Sequence, residues 1–305
     1  MNGILIIDKP AGITSHDVVS RVRRILHTKR VGHTGTLDPF ATGVMVILVG
    51  QATRLAQFLD KDEKEYEATV RFGFETDTGD VTGARSAECG MRSGEVAALL
   101  LRADWDSLFE NFRGEIEQIP PMYSAKKIDG KKLYELARKG ETVERKVVKV
   151  TIHELGLSSP PAIATKDAAA DTLRIRVRCG AGTYIRTLAE DIGRKLGIGA
   201  HLTELRRTAA GKFSLPRSIT LEQLADPEEP TSALISMTDA VSQLAKFLVP
   251  DDRVDKTKNG LSTRVFEAEF TDREPVQMIG PSGELIAIGF FVAAENVIQP
   301  KVVLV

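Results

Sequence analysis

Hydrophobic positions along the chain fall into distinct patterns, each predicting a different element. Unbroken apolar runs at residues 3–8 and 44–49 (Val44-Met45-Val46-Ile47-Leu48-Val49) predict buried strands. From Tyr66 to Phe74 apolar side chains alternate with polar ones (Tyr66, Ala68, Val70, Phe72, Phe74), as in a strand with one covered face. Residues 171–179 alternate likewise, with Leu173, Ile175, Val177 and Cys179 set against arginines, and 146–157 reads as a further strand. Helical spacing appears from Ser15 to His27, where Val18, Val19, Val22, Ile25 and Leu26 form one stripe behind Thr14 or Ser15 as N-cap. Helices are also predicted over Thr53–Leu59, over Ser93–Phe112 (core at Val96, Leu99, Leu100 and Leu108) and over Thr183–Leu196, with 76–83 as loop. This order does not repeat a βαβ unit, so an α+β fold on a mixed sheet is predicted over a doubly wound one.

Near the C-terminus the pattern changes. Residues 225–232 have the composition of a linker or turn, followed by a predicted helical stretch to about Phe247. From Val249 onward the chain is strand-like and turn-rich, and Val276–Ile279, the turn Gly280-Pro281-Ser282-Gly283 and Leu285–Gly289 read as a hairpin. A main domain over 1–247 and a small β-rich unit over 248–305 are therefore expected.

Composition narrows the function classes. The 305 residues are 42% hydrophobic and 27% charged, ordinary for a soluble globular chain. No apolar run approaches the ~20 residues of a membrane helix, and no secretory signal is legible at the N-terminus. Cys89 and Cys179 stand far apart and the five histidines form no ligand pattern, so neither a metal nor a disulfide scaffold is expected; a reducing cytoplasm suits the cysteine usage. The net charge of −1 conceals three basic runs: Arg21 to Arg30, Lys126 to Lys149, and Arg174 to Arg207. Such clustering favours a basic surface able to meet nucleic-acid phosphates.

The densest chemistry lies in Gly32-His33-Thr34-Gly35-Thr36-Leu37-Asp38-Pro39-Phe40-Ala41-Thr42-Gly43, one carboxylate in a Gly/Thr/Pro-rich loop that runs into an apolar strand. Glycine opens backbone conformations closed to other residues, and Pro39 biases Asp38 toward an extended geometry. A loop so braced can hold an acid in a cleft. It closely resembles the active-site motif of the bacterial tRNA pseudouridine-55 synthases, the TruB family. Further segments resemble the same family in the same order: Gly3–Pro10 with Gly12–Ser15, Lys64–Ala68 and Thr76–Asp80, Gln118–Ala125 leading into Gly130–Tyr134, and Gly182–Thr187 with Leu205-Arg206-Arg207.

The resemblance implies a mixed, largely antiparallel central sheet flanked by helices, followed by a small β-barrel-like RNA-binding domain of PUA type. It implies an isomerase that converts uridine 55 in the TΨC arm of tRNA to pseudouridine after base flipping, alone and without guide RNA, cofactor or metal. Asp38 corresponds to the catalytic nucleophile, with attack on the sugar or on the uracil ring left open; Arg186 corresponds to its guanidinium partner, and Tyr66 to an aromatic packed on the target base that serves proton transfer at C5. His33 matches the residue that fills the gap left by that base. Tyr184 and Leu205 match residues lining the uracil pocket, and Lys9 and Pro10 a motif supporting the active-site loop. Lys126, Lys127, Lys131 and Lys132 fall in an insertion, about 124–150, expected to clamp the RNA. A cytoplasmic monomer is expected. Three alternatives stay open: a guide-dependent enzyme of the archaeal type, which typically carries glycine at the place of Thr34; an RNA-folding factor without catalysis; and a small-molecule enzyme.

Overall fold

The computed structural model describes residues 1–124, 126–128, 131–137, 140–141, 143–159, 171–226, 232–266 and 270–304, with backbone only for Ala87, Glu88, Lys127, Ile128, Lys131, Lys132 and Tyr134. Nine strands form the main sheet, and seven of them make its continuous path. In chain order they are β1 (Gly3–Lys9), β2 (Val31–Thr34), β3 (Thr42–Val49), β4 (Lys64–Phe72), β5 (Gly114–Gln118), β6 (Val148–Leu157), β7 (Thr172–Cys179), β8 (Ala200–Ala210) and β9 (Phe213–Ser214). The path runs β1-β3-β8-β4-β7-β6-β5, with β2 paired to β3 and β9 to β8. Every pairing in it is antiparallel except β3 with β8, so the sheet is mixed and largely antiparallel, as expected.

The two uninterrupted apolar runs have a simple cause. Strands β1 and β3 are covered on both faces. Leu5, Ile7, Met45, Ile47 and Val49 meet Val18, Val19 and Val22 of helix α1 (Ser15–Ile25). Ile4, Ile6, Val44, Val46 and Leu48 meet Ile279, Leu285, Ile288 and Val302 from the C-terminal part of the chain. Strand β4 keeps its alternation because one face alone is covered: Tyr66, Ala68, Val70 and Phe72 pack with Leu173, Ile175 and Val177 of β7 and with helices α2 (Ser93–Arg102), α3 (Trp105–Glu110) and α4 (Ile185–Lys195).

Four expectations need correction. The helix over Ser93–Phe112 is two helices, broken at Ala103-Asp104, because the Asp104 carboxylate accepts from Ser107 N and starts α3 afresh. The short helix expected over Thr53–Leu59 is a 3-10 helix that starts earlier, Gly50–Phe58. Phe74 leaves β4 and joins a separate hairpin, Phe74–Thr76 with Arg85–Glu88. The helical stretch to Phe247 is a single turn, Met237–Ala240, followed by a strand, β10 (Ala245–Leu248). Of the linker at 225–232, residues 227–231 lie outside the described residues.

Strand β10 enters a second, five-stranded sheet with β11 (Thr263–Arg264), β12 (Pro275–Ile279), β13 (Leu285–Val292) and β14 (Val297–Val303), in the order β10-β12-β13-β14-β11. Antiparallel β12 and β13 are the hairpin read from the sequence. Strand β10 begins a few residues before 248 and lies parallel to β12 inside this sheet.

Candidate active site

Asp38 lies in the loop between β2 and β3, and three devices fix that loop. Thr14 caps α1 through Asp17 N, which frees the Ser15 hydroxyl to accept from Leu37 N (2.9 Å) and donate to Leu37 O (3.1 Å). Lys9, fully buried, donates to Pro10 O (3.0 Å), Pro39 O (3.2 Å) and Ala41 O (2.7 Å). Burial brings its ammonium down to about 8, while Asp38 works in the opposite direction. Buried Arg207 donates to Val44 O (2.7 Å) and Gly35 O (3.0 Å) on the other flank.

Gly43 sits between these cations in register, opposite Lys9 on β1 and Arg207 on β8. Its φ is +102°, and a Cβ there would lie 2.2 Å from Arg207 O. Gly43→Ala is therefore expected to cost more than about 2 kcal/mol, read as a lowered denaturant midpoint at unchanged m-value.

Arg186, in the first turn of α4, is the partner that the sequence analysis assigned to Asp38. Its Nε lies 2.9 Å from Asp38 Oδ2 and its Nη2 donates to Asp38 Oδ1 at 3.2 Å, a two-point contact. The remaining donors are also used: Nη1 to Thr78 O (2.7 Å) and Asp80 Oδ2 (3.4 Å), and Nη2 to Tyr123 O (2.7 Å). With its side chain 6% exposed, this guanidinium is a fixed part of the site.

Asp80 is a residue of this site to which sequence reasoning gave no role. It is buried, and its carboxylate accepts from Thr78 Oγ1, Thr82 N and Thr82 Oγ1 as well as from Arg186. The signal was the acid closing the Thr76–Asp80 segment. Two carboxylates thus share one guanidinium. Burial raises the Asp38 carboxyl above its ordinary range; Arg186 pulls it down, and the Asp80 charge pushes it up again. About a third of the Asp38 side chain remains exposed, so the carboxylate is held and still reachable.

Two cavities flank it. One, of about 270 Å³, is lined by Asp38, Tyr66, Tyr184, Leu205 and Lys126 among others. Tyr66 stands opposite Arg207 in the β4–β8 register, and burial raises its phenol. Tyr184 is clamped through its backbone: its N–H donates to Gln118 Oε1 (3.0 Å), and Gln118 Nε2 donates to its carbonyl (3.1 Å). Gln118 is a second residue that sequence reasoning passed over, although it heads one of the matched segments. The other cavity, about 850 Å³, is lined by His33, His16, Asp38 and the 77–84 loop. Burial and the Arg207 charge lower the His33 imidazole, which favours its neutral form.

The expected residues thus separate by role. Asp38, Tyr66, Arg186, Tyr184, Leu205 and Lys126 converge on the smaller cavity, and His33 faces the larger one. Lys9 braces the loop from behind and is closed to solvent. The side chains of Lys127, Lys131 and Lys132 lie outside the described residues; their backbones form a two-strand ladder. Of the third basic run, Arg186 and Arg207 are buried structural cations and contribute nothing to an outer surface.

Residues 23–185 match the family model described as TruB family pseudouridylate synthase (N terminal domain), and residues 186–254 match the tRNA pseudouridylate synthase B C-terminal domain. A tRNA pseudouridine synthase B of Solibacter usitatus (strain Ellin6076) is 43% identical over 100% of both chains. One of Bacillus pumilus (strain SAFR-032) is 41% identical over 94% of this chain and 92% of its own. Among solved structures, a chain of an H/ACA RNP bound to a substrate RNA containing 2'-deoxyuridine superposes with a TM-score of 0.70 at 26% identity, covering 99% of this chain and 85% of that one. A chain of a Cbf5-Nop10-Gar1 complex does so with 0.69 at 26% identity and the same coverage. With two family models spanning 23–254 and relatives alike from end to end, one assignment follows: the chain belongs to the TruB family of pseudouridylate synthases.

Proposed function

We propose that this chain isomerises uridine 55 in the TΨC arm of tRNA to pseudouridine, alone and without guide RNA, with Asp38 as nucleophile. The observation that carries the proposal is the two-point Asp38–Arg186 contact on the wall of a cavity shared with Tyr66, Tyr184 and Leu205. The relatives, tRNA pseudouridine synthases B, support the tRNA substrate and the reaction class. Thr34, where guide-dependent enzymes typically carry glycine, supports independence from a guide.

The chemistry needs an anion at the sugar. The target base lies stacked within the arm and is turned out of it to reach the carboxylate. The N1–C1′ bond breaks, uracil takes the electron pair, and Asp38 meets the positive charge that develops at C1′, as carboxylates do in glycoside hydrolysis. The base turns, C5 bonds to C1′, H5 leaves as a proton and N1 gains one; nothing is oxidised or reduced. Burial makes the Asp38 carboxylate a more basic nucleophile than a hydrated one, and Arg186 opposes that rise and aims it. Tyr66 and Leu205 offer apolar surface to the base, and Lys126 with the rest of the 124–150 insertion would grip the arm through phosphates. The second sheet is the PUA-type unit of this proposal.

Asp80→Asn tests the electrostatic part. Removing that negative charge lowers the Asp38 pKa, so the acid limb of kcat/KM moves to lower pH. At the plateau kcat falls about 10–100-fold, because Arg186 loses an acceptor that orients it. The whole reading is checked with the pure chain and tRNA labelled as [5-³H]uridine: stoichiometric tritium release is expected without added RNA. Filter binding at two salt concentrations should show affinity falling steeply with salt. Salt-independent binding, or release that needs a second RNA, would refute it.

A further inference from the structure

Two cavities meet at Asp38, and Thr36, Leu37, Asp38, Ser124 and Arg186 line both. A nucleotide turned out of its strand would carry its base into the smaller space, while its phosphates stay with the strand in the larger one. Its sugar then occupies the junction, where a carboxylate must stand to meet the anomeric carbon.

The polar side chains at that junction are not equivalent. Asp38 and Arg186 bond each other, and Thr36 is exposed. Ser124 is 7% exposed, and its buried Oγ makes no well-formed hydrogen bond among the described residues, its one contact there being a loose one to the Tyr184 phenol. Buried hydroxyls are rarely left unpaired, because their desolvation goes uncompensated. The position of Ser124 is also fixed relative to Asp38, since the carbonyl of Tyr123 just before it accepts from Arg186.

Resting on the function proposed above, we infer that the Ser124 hydroxyl hydrogen-bonds the ribose 2′-hydroxyl of the target nucleotide and so selects RNA over DNA there. Both groups donate and accept, so the pair forms in either sense. The competing role is service to a neighbour: burial raises the Tyr184 phenol, and a hydrogen-bonding contact with the Ser124 hydroxyl pulls it back down. A group that only orients Tyr184 cannot distinguish the two sugars.

The test uses the full chain with Asp38→Asn, so that no turnover obscures binding. Fluorescence anisotropy gives Kd for two TΨC-arm hairpins that differ only in uridine or 2′-deoxyuridine at the target. With Ser124 present, the deoxy hairpin should bind about tenfold more weakly, one hydrogen bond's worth. Adding Ser124→Ala should weaken the ribo hairpin by about the same factor and change the deoxy hairpin by less than about twofold. Equal losses on both hairpins, or none on either, would overturn the assignment. A hairpin that Asp38→Asn still converts overturns the proposed function itself, whereas one bound, unconverted and insensitive to the cycle overturns the role of Ser124 alone. An unchanged melting temperature for Ser124→Ala excludes misfolding as the cause.

Discussion

Asp38→Asn is expected to slow pseudouridine formation by at least about 10⁴-fold, the scale at which loss of a nucleophile is felt. Asparagine keeps the shape of the side chain and one oxygen for Arg186, but it carries no charge to meet the sugar. Tyr66, Leu205, His33 and the basic insertion are untouched, and phosphate contacts supply most affinity for nucleic acid. Binding of tRNA should therefore stay within about tenfold. Single-turnover tritium release with enzyme in excess gives the chemical step, and filter binding gives the affinity. Loss of both together would mean that the side chain holds the fold or the RNA rather than reacting.

Arg186→Met should produce the second large effect, on stability as well as rate. The wild-type guanidinium answers Asp38, Asp80, Thr78 O and Tyr123 O at once. Methionine fills similar volume and leaves two neighbouring carboxylates with no shared cation. Breaking a buried pair from one side typically costs about 3–5 kcal/mol, which urea unfolding would register. Arg186→Lys keeps the charge but brings three donors on one atom in place of a planar fork, so kcat is expected to fall about 10²–10³-fold. Both changes also have a signed pH signature. Arg186 holds the Asp38 carboxyl down against burial and Asp80. Weakening it lets that pKa climb, so the acid limb of kcat/KM moves to higher pH, opposite to the shift expected for Asp80→Asn. Shifts in the same direction for the two variants would contradict the shared-cation arrangement.

Much of this was legible before any coordinates. Periodicity marked β1, β3, β4, β7 and α1 because each owes its pattern to what covers it: two faces for β1 and β3, one for β4 and β7. Strand β8 went unread although it lies between β3 and β4. Its Arg206-Arg207 pair breaks the alternation, and Arg207 is buried only because its guanidinium finds the carbonyls of Val44 and Gly35 across the sheet. A tertiary partner of that kind leaves no local trace. Strand β10 was misread for a related reason, since a parallel partner thirty residues downstream decides its state.

At the candidate site the acid and its loop were legible through their glycines, threonines and proline. Arg186 was legible through its placement after a Gly-rich turn and through the family resemblance. Asp80 and Gln118 were not, because each acts on another residue: one on a guanidinium, the other on the backbone of Tyr184. The role inferred for Ser124 was hidden for the same reason. A serine becomes informative only once its hydroxyl is seen to be buried with no well-formed hydrogen bond among the described residues.

The most direct test of the account is a nucleotide-resolution map of pseudouridine in tRNA after incubation with the wild-type chain and, in parallel, with Asp38→Asn. A single mark at position 55 is expected with the wild type and none with the variant. A mark at 55 in both samples, or at another position in the first, would contradict it.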